Sequence, residues 1–178
     1  MQVTTPKGPP FVLIGGIPGS GKSTLAVALA AELGLPLLAK DEIKEALMDA
    51  LGEPTTVAES QRLGRAAVLA MLHVARRCPG AVIDSTWFDY TEPLVRQLPG
   101  PVVEVRCHVP VALARERYGA RIANRHSGHL DERRSEDELW GEPSTPLGAG
   151  PLITVDTSGP VDIPALVSAI SAVGAADG

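Results

Sequence analysis

Three groups of residues stand at spacings that could handle a chain of phosphates. The first is a glycine-rich run in which Gly16, Pro18, Gly19, Ser20, Gly21, Lys22 and Ser23 spell GxxxxGK(S/T), with Thr24 and an alanine-rich stretch behind. Glycines let backbone N–H groups turn inward around an anion. A helix opening at Lys22 points its partial positive end at the same place. Lys22 adds a mobile charge for the β and γ phosphates, and Ser23 offers a hydroxyl to Mg2+. The strand-forming residues Phe11–Ile14 precede the run, so it has the strand-loop-helix setting that the chemistry needs.

The second group is a pair of aspartates, each at the end of an apolar stretch. Asp84 closes Ala81–Asp84, ahead of Ser85 and Thr86. An acid there either holds the metal side of the site opposite Ser23 or caps the following turn. Asp41 follows Pro36–Ala39. It either takes the proton of an acceptor hydroxyl or caps the next helix, and Lys44 shares its helix face. The third group is Arg117, Arg121 and Arg125, four residues apart and on one helical face. Such a row suits phosphates, whereas a solvated surface helix is the alternative. The polar stretch behind it, with no apolar period, suits a lid over about 115–145.

Two further clusters are less specific. Trp87, Phe88 and Tyr90 hold half of the six aromatics, as local packing or as an acceptor wall that stacks a ring. His126, His129 and Asp131 lack the spacing of a tetrahedral metal set, which leaves lid or acceptor contacts.

These residues need elements to hold them. Strands are expected near 11–15, 36–39, 81–84, 102–109 and 152–155. Helices are expected near 22–33 with a stop at Gly34, 42–51, 59–77, 92–98, 111–125 and 162–173. The buried stripe of the third helix reads as Leu63, Ala67, Ala70, Met71 and Val74. Alternating strands and helices imply an α/β fold with a parallel sheet, whose ligands sit at the carboxyl ends of the strands. The 178 residues suit one domain. A net charge of −5 argues against a broad nucleic-acid footprint. No apolar stretch reaches the ~20 residues of a membrane span. Two distant cysteines and a polar, proline-rich start imply a cytoplasmic chain.

With GGIPGSGKST, LLAKDEIKEAL, AVIDSTWF, CHVPVALARERYGARIANRHSGHLD and ITVDTSGP in place, the chain resembles the P-loop kinase-like family called AAA_33, or zeta-toxin-like ATP-binding proteins. These are similar to polynucleotide 5′-hydroxyl kinases and chloramphenicol phosphotransferase. The resemblance implies a three-layer P-loop fold with sheet order 2-3-1-4-5. It implies Asp41 as general base and Arg121 and Arg125 as lid arginines on the donor phosphates. It places Arg117 near adenine, and it makes the segment from Asp156 to Pro160, with Thr157 and Pro160, the loop that lines the adenine. Lys44 stands where polynucleotide kinases carry an arginine, a departure that loses forked phosphate binding. His126 and Trp87 complete the expected acceptor side. The expected activity is transfer of the γ-phosphoryl group from ATP, with Mg2+, to a hydroxyl of a small molecule; ATP and GTP both stay open. The alternatives are a polynucleotide 5′-hydroxyl kinase and a nucleotide-dependent switch without an acceptor. The accessory parts of a ring-forming mechanical ATPase have no counterpart in the chain.

Overall fold

A computed structural model describes residues 8–122, 126–130, 135, 139–140 and 146–176. The strands are β1 (Phe11–Gly15), β2 (Leu37–Ala39), β3 (Ala81–Asp84), β4 (Val102–His108) and β5 (Leu152–Asp156). They form a single parallel sheet in the order β2-β3-β1-β4-β5. The helices are α1 (Lys22–Leu33), α2 (Lys40–Leu51), α3 (Val57–Ala75), α4 (Glu92–Val95), α5 (Val111–Ile122) and α6 (Ile163–Ala176).

The alternation of β1 builds both faces of the core. Val12 and Ile14 pack with Leu25 and Leu29 of α1 and with Leu166 and Ile170 of α6. Phe11 and Leu13 pack on the opposite face with Val68, Met71, Leu72 and Ala75 of α3. Period-2 strands with both faces covered are what a three-layer α/β stack requires. The stripe of α3 is therefore displaced from the expected one: Ala67 and Met71 are buried, but Ala70 and Val74 are exposed, and Val68, Leu72 and Ala75 replace them. Helix starts follow local chemistry. In α3 the Thr56 hydroxyl accepts from the Glu59 N–H at 3.2 Å and the Glu59 carboxylate accepts from the Thr56 N–H at 3.3 Å, a reciprocal cap. α1 ends at Gly34 as expected, in the left-handed region with φ 63°.

Sheet register brings the chemistry together. Ile14 and Ala39 both lie opposite Asp84, so the ends of β1, β2 and β3 share one edge. His108 lies opposite Asp156 at the other side of that edge. No helix among the described residues is long and apolar enough to cross a membrane.

Candidate phosphate-binding and transfer site

The loop between β1 and α1 is held from behind. Gly19 has φ 75°, and a Cβ there would collide with the carbonyl of Ala114 in α5. Only glycine permits that approach without displacing α5. Gly21 caps α1 with φ 82°, with no side chain taking the first N–H groups and no acid in the first turn. Those donors and the dipole are directed at whatever sits in the loop. Gly16 and Ser20 are buried at its base, and Pro18 is half-buried. Lys22 is half-buried, while Ser23 and Thr24 are exposed at the helix start.

A second tie reaches the loop from β5. The Thr157 hydroxyl donates to the Ser20 carbonyl at 2.6 Å, and the Thr157 N–H donates to His108 O at 2.9 Å. Arg117 donates through its two terminal nitrogens to the carbonyls of Thr157 and Ser158, both at 2.8 Å. Its Nη1 stands 4.0 Å from the place a Cβ on Gly21 would take. Arg117 and Thr157 thus brace the loop expected to flank the base. Pro160 is exposed just beyond. Arg121 is exposed one turn further along α5, and Arg125 lies outside the described residues, as does Asp131.

Asp84 sits at the junction. Burial pushes its carboxyl above the ordinary aspartate value; the Lys22 charge and a hydrogen bond from Ser23 pull it down, Asp41 pushes it up and Lys40 pulls it down. One carboxylate groups with both the loop and the β2–α2 junction. Its Oδ1 is buried without a hydrogen-bond partner among the described residues. The turn that follows is capped by Phe88, so Asp84 is not a capping residue. A buried carboxylate oxygen without a partner, beside a serine hydroxyl, is the hard oxygen set that Mg2+ prefers. Mg2+ sites use one or two carboxylates, so the absence of a cluster of three acids, histidines or cysteines among the described residues does not count against the fit.

Asp41 occupies the first turn of α2, whose cap is Ala39, so it is not a capping residue either. Lys40 Nζ holds its Oδ1 at 2.7 Å. Cys107 lies below the loop, and burial pushes its thiol up to about 12, with Lys22 lowering it and Asp84 raising it.

Three expected acceptor contacts are placed elsewhere. Lys44 is 1% exposed and its Nζ donates to Ser60 Oγ at 2.6 Å. Ser60 Oγ donates in turn to Gly128 O at 3.0 Å. Lys44 therefore joins α2 to α3. Trp87 is 7% exposed, with Nε1 donating to Ile14 O at 2.9 Å, so it seals the core below β1 and presents no ring to a ligand. His126 Nε2 lies 3.2 Å from Asp49 Oδ1, and its Nδ1 accepts from the Gly128 N–H. His129, buried, has Nε2 2.8 Å from Glu45 Oε1. The histidine segment is docked on α2, away from Asp41 by one and two turns of helix. Two residues went unremarked in the sequence. Arg65 lies over the Tyr90 ring, and Glu104, buried in β4, accepts the N–H groups of Leu147 and Ala149 at 2.8 and 2.7 Å. An acid set between Val103 and Val105 in a strand is a signal for the latter.

Residues 11–139 match the model of the family AAA_33, described as an AAA domain. A protein of Chloroflexus aurantiacus J-10-fl, described provisionally as a kinase, is 31% identical with a TM-score of 0.82, over 94% of this chain and 99% of that one. An APS kinase of Mycobacterium tuberculosis, solved with AMPPNP and APS, has a TM-score of 0.60 at 18% identity, over 95% of this chain and 98% of that one. That likeness concerns the fold alone. An uncharacterized protein of Mycobacterium tuberculosis strain H37Rv is 34% identical over 127 residues, 62% of this chain and 25% of that protein. The chain thus spans about a quarter of the length of the curated relatives it matches. Together with the phosphate loop and the 2-3-1-4-5 sheet, these matches mean that the chain belongs to the AAA_33 family, P-loop proteins of the kinase type.

Proposed function

We propose that the chain acts as one kinase domain that transfers the γ-phosphoryl group of ATP to a hydroxyl of a small molecule. The observation that carries this reading is the position of Asp84, which lies opposite Ile14 at the start of the phosphate loop on one side and opposite Ala39, next to Lys40 and Asp41, on the other. A donor grip and an acceptor-side carboxylate around one strand end are what in-line transfer requires.

The loop amides from Gly16 to Thr24 and the Lys22 ammonium bind and neutralise the β and γ phosphates. Ser23 and Asp84 would hold Mg2+, which when bound neutralises charge on those same oxygens. Asp41, its rotamer set by Lys40, accepts the proton of the acceptor hydroxyl. The acceptor oxygen forms its bond to the γ phosphorus as the bond to the β–γ bridging oxygen breaks, and ADP leaves. Arg121 and Arg125 cover the charge that develops, and Arg117 braces the loop with Thr157 and Pro160 beside the base. GTP would meet the same grip on its phosphates. The two free cysteines accord with a cytoplasmic setting.

Burial of Lys44 weighs against a polynucleotide 5′ end as acceptor. The cation expected beside Asp41 in that reading donates to Ser60 inside the protein. The test is an acceptor screen with purified protein, ATP and Mg2+. It follows ATP loss together with a gain of one phosphate on the acceptor. Small alcohols should gain phosphate. ATP binding with no transfer to any acceptor, oligonucleotides included, would leave only the nucleotide-dependent switch.

A further inference from the structure

Of the six aromatic side chains, Phe11, Trp87 and Tyr118 are buried and Trp140 is half-buried. The two exposed ones, Phe88 at 53% and Tyr90 at 40%, stand together. Their rings stack with centroids 5.8 Å apart and planes 11° from parallel. Arg65 of α3 places its guanidinium carbon 5.0 Å from the centre of the Tyr90 ring. Exposed apolar rings next to one another are costly to leave in water, and an exposed aromatic face can stack a further ring.

The stack is rigidly mounted. Trp87 anchors one side through its bond to Ile14 O. On the other, the Phe88 carbonyl accepts from both the Thr91 N–H at 2.8 Å and the Thr91 hydroxyl at 2.6 Å. It is also joined to the transfer site by contacts. Arg65 follows Gly64, which lies under the Lys40 side chain, with Nζ 3.9 Å from where a Cβ would stand. Lys40 is the ion-pair partner of Asp41. The segment that carries both rings begins at Asp84, opposite the end of β2.

We infer that Phe88, Tyr90 and Arg65 form the acceptor subsite and that the acceptor is an alcohol carrying a planar, unsaturated ring. This rests on the phosphotransferase reading above and narrows its substrate class. The ring stacks on the exposed aromatic pair while the alcohol arm reaches Asp41. Trp87, the aromatic nearest the metal-side aspartate in sequence, contributes only the anchor.

The test uses the full chain with ATP and Mg2+ and two sets of acceptors. One set is adenosine and 4-nitrobenzyl alcohol; the other is glycerol, gluconate and glucose. Turnover should favour the planar-ring set. Phe88→Ala should raise the acceptor KM about 10- to 100-fold with a smaller change in kcat, the scale of losing one stacked ring. Phe88→Trp should restore the KM, and Arg65→Ala should raise it less than Phe88→Ala. Phosphate transfer confined to the ring-free set, or a KM indifferent to Phe88→Ala, would overturn the inference and leave the phosphotransferase standing. No transfer to either set, nor to any acceptor of the wider screen, with ATP still bound would overturn the phosphotransferase reading itself.

Discussion

The ammonium of Lys44 donates to the hydroxyl of Ser60 at 2.6 Å, and that hydroxyl donates onward to Gly128 O at 3.0 Å. One serine therefore joins α2, whose first turn holds Asp41, its neighbour α3, and the segment that follows the arginine-bearing α5. Ser60 is fully buried, so removing its oxygen takes one hydrogen-bond partner from a buried ammonium and one from a carbonyl. Ser60→Ala should cost about 1–3 kcal/mol in denaturant unfolding. Ser60→Thr, which keeps the hydroxyl, should cost less. Equal stability of the alanine variant would show that the contact contributes nothing.

Asp84 should make metal-dependent nucleotide binding sensitive to acid. Burial raises its folded-state value above that of the unfolded chain, so between the two values the folded protein holds more protons. The protonated form favours folding there, and that stabilisation is lost as pH rises through the folded-state value. Mg2+ needs the ionised form, so the proton competes with it. Mg2+-dependent ATP affinity should fall as pH drops below neutral towards the folded-state value, and binding without Mg2+ should show a weaker dependence. Asp84→Asn should abolish that difference. Titration calorimetry across pH, with and without Mg2+, reads both.

Arg117 binds protein carbonyls with both ends of its fork. A lysine has one ammonium and cannot span the two. Arg117→Lys should therefore behave much like Arg117→Ala and weaken nucleotide binding about tenfold, the order expected for a lost charge-assisted hydrogen bond. Full affinity in the lysine variant would mean that the brace on Thr157 and Ser158 is dispensable.

The two thiols should differ in reactivity. Cys78 is half-buried at the end of α3, whereas Cys107 lies under the phosphate loop with its thiol pushed up to about 12. Thiolate is the reactive form. One equivalent of maleimide should add to Cys78 in the native protein at neutral pH, and the second should add only after unfolding. Mass spectrometry of the labelled chain distinguishes the two sites.

The phosphate-loop motif was legible in the chain because its residues are local. Loop glycines, Lys22 and Ser23 are neighbours in sequence, Asp84 ends β3, and Asp41 follows β2 in the first turn of α2. The sheet order followed from the family resemblance and is the order observed. The acceptor half was less legible because burial there is decided by distant segments. Nothing near Lys44 in sequence shows that Ser60, sixteen residues on, will take its ammonium. Trp87 sits beside two exposed aromatics, yet its indole reaches back to β1. The stripe of α3 slipped because Val68, Leu72 and Ala75 are as apolar as the residues beside them; only the sheet selects between the two phases. Glu104 is held by a loop more than forty residues away.

The most direct measurement compares Asp41→Asn with the parent protein, reading ATP affinity and phosphate transfer to an accepted alcohol side by side. Loss of the general base should lower transfer about 10²–10⁴-fold while ATP affinity stays within a few-fold. Normal transfer by the asparagine protein would contradict the assignment of Asp41 as the group that takes the acceptor proton.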